Sequence, residues 1–125
     1  MRILVAGGQG QVGSALAQQG LDQNLDLIAL GRQDLDITST ESIAAVFAEC
    51  EPDLLINAAA YTAVDKAESE PELAYAINET ATALLADACA ERGIPMLHIS
   101  TDYVFDGTKD SPYVESDPVN PIAVY

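Results

Sequence analysis

The sequence predicts an α/β fold, a doubly wound parallel sheet with helices on both faces, and three observations carry that prediction. Short apolar runs alternate with helical periods along the chain. Helix start and stop residues punctuate the alternation. The first apolar run leads directly into a glycine-rich turn, Gly7-Gly8-Gln9-Gly10-Gln11-Val12-Gly13, and then into a helix. That order builds an anion cradle: the bare backbone allows close approach, and the unpaired amides of the helix N-terminus face the ligand.

Arg2 to Ala6 is too short an apolar run for a helix and reads as the first strand. Val12, Ala15, Leu16 and Gln19 share one face of a helix that ends at Gly20. Leu27 to Leu30 is the second strand. Thr38-x-x-Glu41 has the form of a capping box, and Ile43, Val46, Phe47 and Cys50 follow at helical spacing until Pro52 stops the helix. Asp53 to Asn57 is the third strand. Ser69-x-x-Glu72, with Pro71 in the first turn, opens a long helix carrying Leu73, Ile77, Leu84 and Ala88 on one face. Lys66, Glu68 and Glu70 before it read as a solvated entry. Gly93 and Pro95 end that helix, and Met96 to Ile99 is the fourth strand. From Asp106 onward Gly, Pro, Asp and Ser dominate, and the segment reads as an irregular loop. Such βαβ units have right-handed crossovers, and ligands sit at the carboxyl ends of their strands.

Composition bounds the function. The 125 residues are 49% apolar with a mean hydropathy of +0.12, enough for one domain, or part of one, with a hydrophobic core. No apolar stretch approaches the ~18 residues that span a bilayer, and the opening Met1-Arg2 lacks a signal-peptide pattern. The expected compartment is the cytoplasm. A net charge of −15 and a pI near 4.1 disfavour nucleic acid and anionic membranes as partners. A nucleotide cofactor remains compatible, since local amides hold its phosphates. Cys50 and Cys89 have no metal-ligand spacing and read as buried thiols in a reducing compartment.

The residues just after each strand carry the candidate chemistry. Gly7, Gly10 and Gly13 form the turn after the first. After the second, Arg32 stands where an acid would take ribose hydroxyls and an arginine accommodates a 2′-phosphate. It is either that or a solvated surface arginine. Asp36 and Ile37 either bracket an adenine or are a turn aspartate and a core isoleucine. After the third strand, Ala58, Ala59 and Ala60 leave room for a cofactor, or pack helix closely against strand. After the fourth, the hydroxyls of Ser100 and Thr101 and the carboxylate of Asp102 can bond a substrate carbonyl, or close a local turn. His98, inside the strand, reads as a packed histidine. With a single histidine and no Gly-x-Ser-x-Gly elbow, a Ser-His-Asp hydrolase is disfavoured.

The Gly-x-x-Gly-x-x-Gly spacing resembles the extended short-chain dehydrogenase/reductase superfamily. Within it, GGQGQVG, DLDIT, NAAAYTAVDKAESEPELAYAIN, STDYVFDG and NPIAVY together resemble the dTDP-4-dehydrorhamnose reductase family, along the whole chain. The resemblance implies a Rossmann-type domain. It implies reduction of the 4-keto group of dTDP-4-dehydro-β-L-rhamnose to dTDP-L-rhamnose, for cell-surface polysaccharide, with NADPH or NADH. By position, Gly10, Gln11 and Val12 would touch the cofactor phosphates, Asp36 and Ile37 the adenine, and Ala60, Tyr61 and Thr62 the nicotinamide side. Thr101 and Asp102 would contact substrate, Thr101 polarising the carbonyl, and Tyr125 would be the catalytic tyrosine of Tyr-x-x-x-Lys.

The residue types suit that chemistry. Hydride addition to a ketone builds negative charge on oxygen, so the site needs a placed acid and hydrogen-bond donors. A tyrosine of ordinary pKa ~10 needs a nearby cation to serve near neutrality. In the family that cation is a lysine at the fourth position after the tyrosine, which the sequence does not contain because it stops at Tyr125. Residues 1–125 are thus expected to be an NAD(P)-binding Rossmann-type domain, incomplete, truncated before the remaining strands and the sugar-binding lobe, and inactive alone. The resemblance brings a dTDP-sugar substrate, leaves a homodimer open, and brings Mg²⁺ without an assignable site. Alternatives are a non-catalytic NADP-binding regulatory subunit and an NAD-dependent nucleotide-sugar epimerase or dehydratase.

Overall fold

The computed structural model describes all residues from Met1 to Tyr125. In chain order the elements are β1 (Arg2–Ala6), α1 (Gln11–Asp22), β2 (Asp26–Leu30), α2 (Thr40–Cys50), β3 (Leu54–Asn57), α3 (Val64–Ala67) and α4 (Pro71–Tyr75). A π-helical segment (Ala76–Thr80), α5 (Ala81–Arg92), β4 (Met96–His98) and a 3₁₀ turn (Asp102–Val104) complete it. The strands form one parallel sheet in the order β2-β1-β3-β4.

Alternation along the strands divides the core between two faces. Leu4 and Ala6 of β1, with Leu55 of β3, face Ile43, Val46 and Phe47 of α2 and Ala81, Leu85 and Cys89 of α5. Leu4, Leu55 and Leu85 are wholly buried, each contributing about 1.5–3 kcal/mol by removal from water. Ile3 and Val5 point the other way, in register with Leu27 and Ala29 of β2, and α1 lies against that side. The sheet is therefore doubly wound. Leu97 of β4, in register with Ile56, remains half exposed on the α1 face.

Several local expectations shift. The buried face of α1 runs through Gly13 and Gly20, flanked by half-buried Leu16 and Ala17, while Val12 and Ala15 face outward. Gly20 does not end the helix; it lets Leu27 approach closely, and α1 continues to Asp22. Thr38 is not the cap of α2: Ser39 is, its hydroxyl accepting the Ser42 amide. Thr38 instead donates to Asp36, through its amide at 2.9 Å and its hydroxyl at 2.7 Å. Ser69 does not cap α4 either, because its hydroxyl donates to the Lys66 carbonyl and Pro71 starts the helix uncapped.

The long helix keeps its end at Gly93, which adopts φ +66°, but its face rotates. The buried residues are Ala74, Ala81, Leu85 and Cys89, with Ile77, Leu84 and Ala88 beside them and Leu73 turned out at 40% exposure. Cys89 is buried and Cys50 half-buried; burial raises both thiols above their ordinary pKa, and both are free. No helix is long and apolar enough to cross a membrane.

Candidate functional site: a two-chambered trough at the strand ends

All strands point their carboxyl ends to one edge, and the turns that follow them line two adjoining cavities there. The turn after β1 is closed by glycine. Gly7 takes φ +84°, and a Cβ on it would lie 2.6 Å from the Ala59 amide nitrogen. A Cβ on Gly13 would lie 2.2 Å from the Gly7 carbonyl oxygen. The turn after β1 and the loop after β3 are thus in backbone contact, with space on their outer side.

One cavity, of about 540 Å³, is lined by Gly7, Gly10, Arg32, Asp36, Ile37 and Tyr61, among others. Arg32 is exposed there and makes no ion pair. Asp36 is held by Thr38, whose side-chain and backbone bonds lower its pKa, with Arg32 adding a smaller electrostatic contribution. Ile37 is buried in the core cluster and still reaches the cavity wall. The turn-and-core reading of Asp36 and Ile37 is therefore realised, and it leaves both lining the cavity.

The second cavity, of about 620 Å³, is lined by residues including Val12, Thr62, Asn78, His98, Thr101 and Tyr125. The fold brings Thr101 and Tyr125 to one space. Thr101 closes a local turn: its hydroxyl accepts the Tyr103 amide and lies 3.3 Å from an Asp102 carboxylate oxygen. Tyr125 meets Tyr103 edge-on at 5.3 Å, and the amide of Val124 donates to Glu68 at 2.9 Å. Ala58, Ala59, Ala60 and Thr62 line both cavities, so the two chambers meet over the loop after β3. Gln11, Gly13 and Asp102 line neither, and Tyr61 belongs to the Arg32 chamber alone.

His98 is not packed. It is exposed at the sheet edge, where its Nδ1 sits 3.2 Å from Asn57 Nδ2. Asn57, wholly buried, also accepts the Ala59 amide on Oδ1, and so fixes the start of the loop. Sequence reading missed Gln9, whose side chain covers Gly31 in the Arg32 chamber. It also missed Asn78, which bonds both backbone groups of Tyr61. An asparagine inside a helical period is the one signal that pointed to it, since that residue type favours backbone bonding elsewhere. No group of three or more His, Cys, Asp and Glu comes together to hold a metal.

A parallel sheet doubly wound by helices, with a glycine turn after its first strand and a trough across its strand ends, defines a Rossmann-type α/β domain. The chain belongs to the family described as the RmlD substrate binding domain, which matches residues 1–125. A dTDP-4-dehydrorhamnose reductase of Sinorhizobium fredii is 45% identical over 125 residues, all of this chain and 42% of the relative. Among solved structures, a dTDP-4-dehydrorhamnose reductase of Clostridium acetobutylicum superposes with TM-score 0.95 at 43% identity, covering all of this chain and 45% of that one. The Bacillus anthracis dTDP-4-dehydrorhamnose reductase in complex with NADP gives TM-score 0.94 at 36% identity, covering 99% and 44%. The chain spans under half the length of these relatives.

Proposed function

We propose that this chain is the cofactor-binding half of an NADPH-dependent reductase that converts the 4-keto group of dTDP-4-dehydro-β-L-rhamnose to the alcohol of dTDP-L-rhamnose. The observation that carries the proposal is the two-chambered trough, opened by a glycine turn that leaves no room for a Cβ, in a chain that aligns over 99% of its length with an NADP-bound reductase. The residues fit a nicotinamide dinucleotide. Its pyrophosphate would lie against the turn of Gly7 and Gly10 and the N-terminus of α1 beside Gln11 and Val12, with its adenosine in the Arg32, Asp36 and Ile37 chamber and its nicotinamide toward Thr101 and Tyr125.

When bound, the cofactor supplies hydride to the ketone carbon. The chain's own residues deal with the charge that appears on oxygen. The Thr101 hydroxyl, turned toward Asp102 across a long 3.3 Å contact, is free to donate to the substrate oxygen instead. Tyr125, in the same chamber, would donate the proton that completes the alcohol in a reductase of the relatives' length, which supplies the cation such a tyrosine needs. Ala58, Ala59 and Ala60 keep the wall shallow where the ring must pass, and Arg32, without an acidic partner, offers its guanidinium to a 2′-phosphate.

A fluorescence titration of the 125-residue chain with NADPH and NADH tests the reading. Saturable binding that is tighter for NADPH, with the preference lost in Arg32→Ala, is the expected result; no binding of either overturns it. Within a reductase of the relatives' length, Tyr125→Phe should abolish most keto-sugar-dependent NADPH oxidation and leave NADPH binding intact.

A further inference from the structure

The loop that separates the two chambers is gripped from outside the sheet, at one residue and from two directions. Tyr61 donates its amide to Asn78 Oδ1 at 2.8 Å, and its carbonyl accepts from Asn78 Nδ2 at 3.1 Å. One side-chain amide thus replaces the strand partner that this stretch of backbone lacks beyond β3. Asn78 stands in the π segment that joins α4 to α5. The Tyr61 phenol is held separately, donating to Glu70 Oε2 at 2.7 Å, while Glu70 Oε1 pairs with Lys66 at 2.8 Å. The ionic states agree with this geometry: the bonds from Lys66 and Tyr61 lower the Glu70 pKa, and the bond to Glu70 raises that of Tyr61.

The residues on either side of Tyr61 give the grip its consequence. Ala60 and Thr62 line both chambers, and Tyr61 itself lines the Arg32 chamber. Whatever fixes Tyr61 fixes the partition over which a dinucleotide would cross. We propose that Asn78 and Glu70 are positioning residues for the cofactor site, clamping the backbone and the phenol of Tyr61 so that the partition is preformed before ligand arrives. The inference rests on the reading of the trough as a dinucleotide site. A preformed wall spares binding the ordering of a loop, so its loss appears as weaker affinity.

The test is the affinity of the 125-residue chain for NADPH, measured for the wild type, Glu70→Ala, Glu70→Gln, Tyr61→Phe, the Tyr61→Phe/Glu70→Ala double variant and Asn78→Asp. Glu70→Ala and Tyr61→Phe should each raise Kd about three- to tenfold, the range expected for one partly exposed charge-assisted bond. The double variant should lose no more than either single one, because both remove the same bond. Glu70→Gln, whose carboxamide oxygen still accepts from the phenol, should recover most of the affinity although it gives up the Lys66 pair. Asn78→Asp keeps an acceptor for the Tyr61 amide but no donor for its carbonyl, so the Tyr61 amide should exchange faster with solvent in the ligand-free chain. A merely structural role would lower the unfolding midpoint of every variant and would not distinguish Glu70→Gln from Glu70→Ala.

Unchanged Kd in Glu70→Ala and Tyr61→Phe, with wild-type binding intact, overturns the clamp and leaves the dinucleotide reading standing. A Tyr61 amide that is unprotected in the wild type also overturns it. A wild type that binds neither NADPH nor NADH removes the reading and the clamp's role together.

Discussion

Gly13 packs its bare Cα against the Gly7 carbonyl, where a Cβ would come within 2.2 Å of the oxygen. The obstacle is backbone, so no side-chain rotation relieves it, and either α1 or the turn must move. Gly13→Ala should therefore destabilise the chain by about 1–3 kcal/mol, the usual range for forcing extra atoms into a packed site, and should weaken NADPH binding with it. Thermal unfolding checks the first part; a midpoint equal to that of the wild type would show that the turn yields freely. At this scale much of the site was legible. Gly7 and Thr101 announce themselves through the turns in which they stand, whereas Tyr125 was named only by the family resemblance. Asn78 did not, because its value lies in Tyr61, 17 residues earlier, and only the helix brings the two together. His98 misled for the opposite reason: a histidine inside a strand looks packed, but in β4, the outermost of these four strands, it is exposed beside Asn57.

Among the elements, the segment after β4 is irregular, as its composition suggests, but it is not loose. It has no regular structure beyond Val104, yet Asp106 ties it together. Its carboxylate accepts from Asn120, from the amide and hydroxyl of Thr108, and from Tyr113, and Phe105 stacks on Tyr113 at 4.1 Å. These bonds, that from Asn120 foremost, lower the Asp106 pKa from 3.8 to about 2. A group whose folded pKa is depressed stabilises above its unfolded pKa and loses that contribution as pH falls through the folded value. The loop should accordingly hold at pH 4 and loosen as pH drops toward about 2. Asp117, bonded by Lys109 and the Val114 amide, shifts the same way. NMR of the Thr108 amide and the Tyr113 ring across that interval reads the change, and Asp106→Asn should remove the Thr108 response. Signals that stay fixed on acidification would refute the hub. The helices carry a parallel lesson. The period of the long one was visible, but its phase was not: Ala74, Ala81, Leu85 and Cys89 are buried while Leu73 faces outward.

For the whole molecule, charge is the dominant surface property. At −15 on 125 residues, with four ion pairs that include the N-terminal amine, most carboxylates have no ion-pair partner. Repulsion of this kind opposes the compact state and is screened within about 10 Å at 0.1 M salt. Raising sodium chloride from about 0.05 to about 0.5 M, where the screening length shortens severalfold, should raise Tm by a few degrees. A flat or falling Tm would mean that the ion pairs outweigh the repulsion. Arg32 stands out against this background, an exposed guanidinium without an ionic partner at the mouth of a chamber in an acidic protein.

By itself the sequence determined the four strands, their order of appearance with the helices, the glycine turn and the family, because each rests on local periodicity or on a contiguous string of residues. Tertiary structure alone decided which face of α1 is buried, which residue caps α2, how the long helix is phased, and that the Tyr61 loop is held by Asn78 and Glu70. Those outcomes depend on groups distant in the chain competing for the same space and the same hydrogen bonds. That competition is resolved only when the sheet assembles with β1 and β3 as its inner strands and the helices close over it.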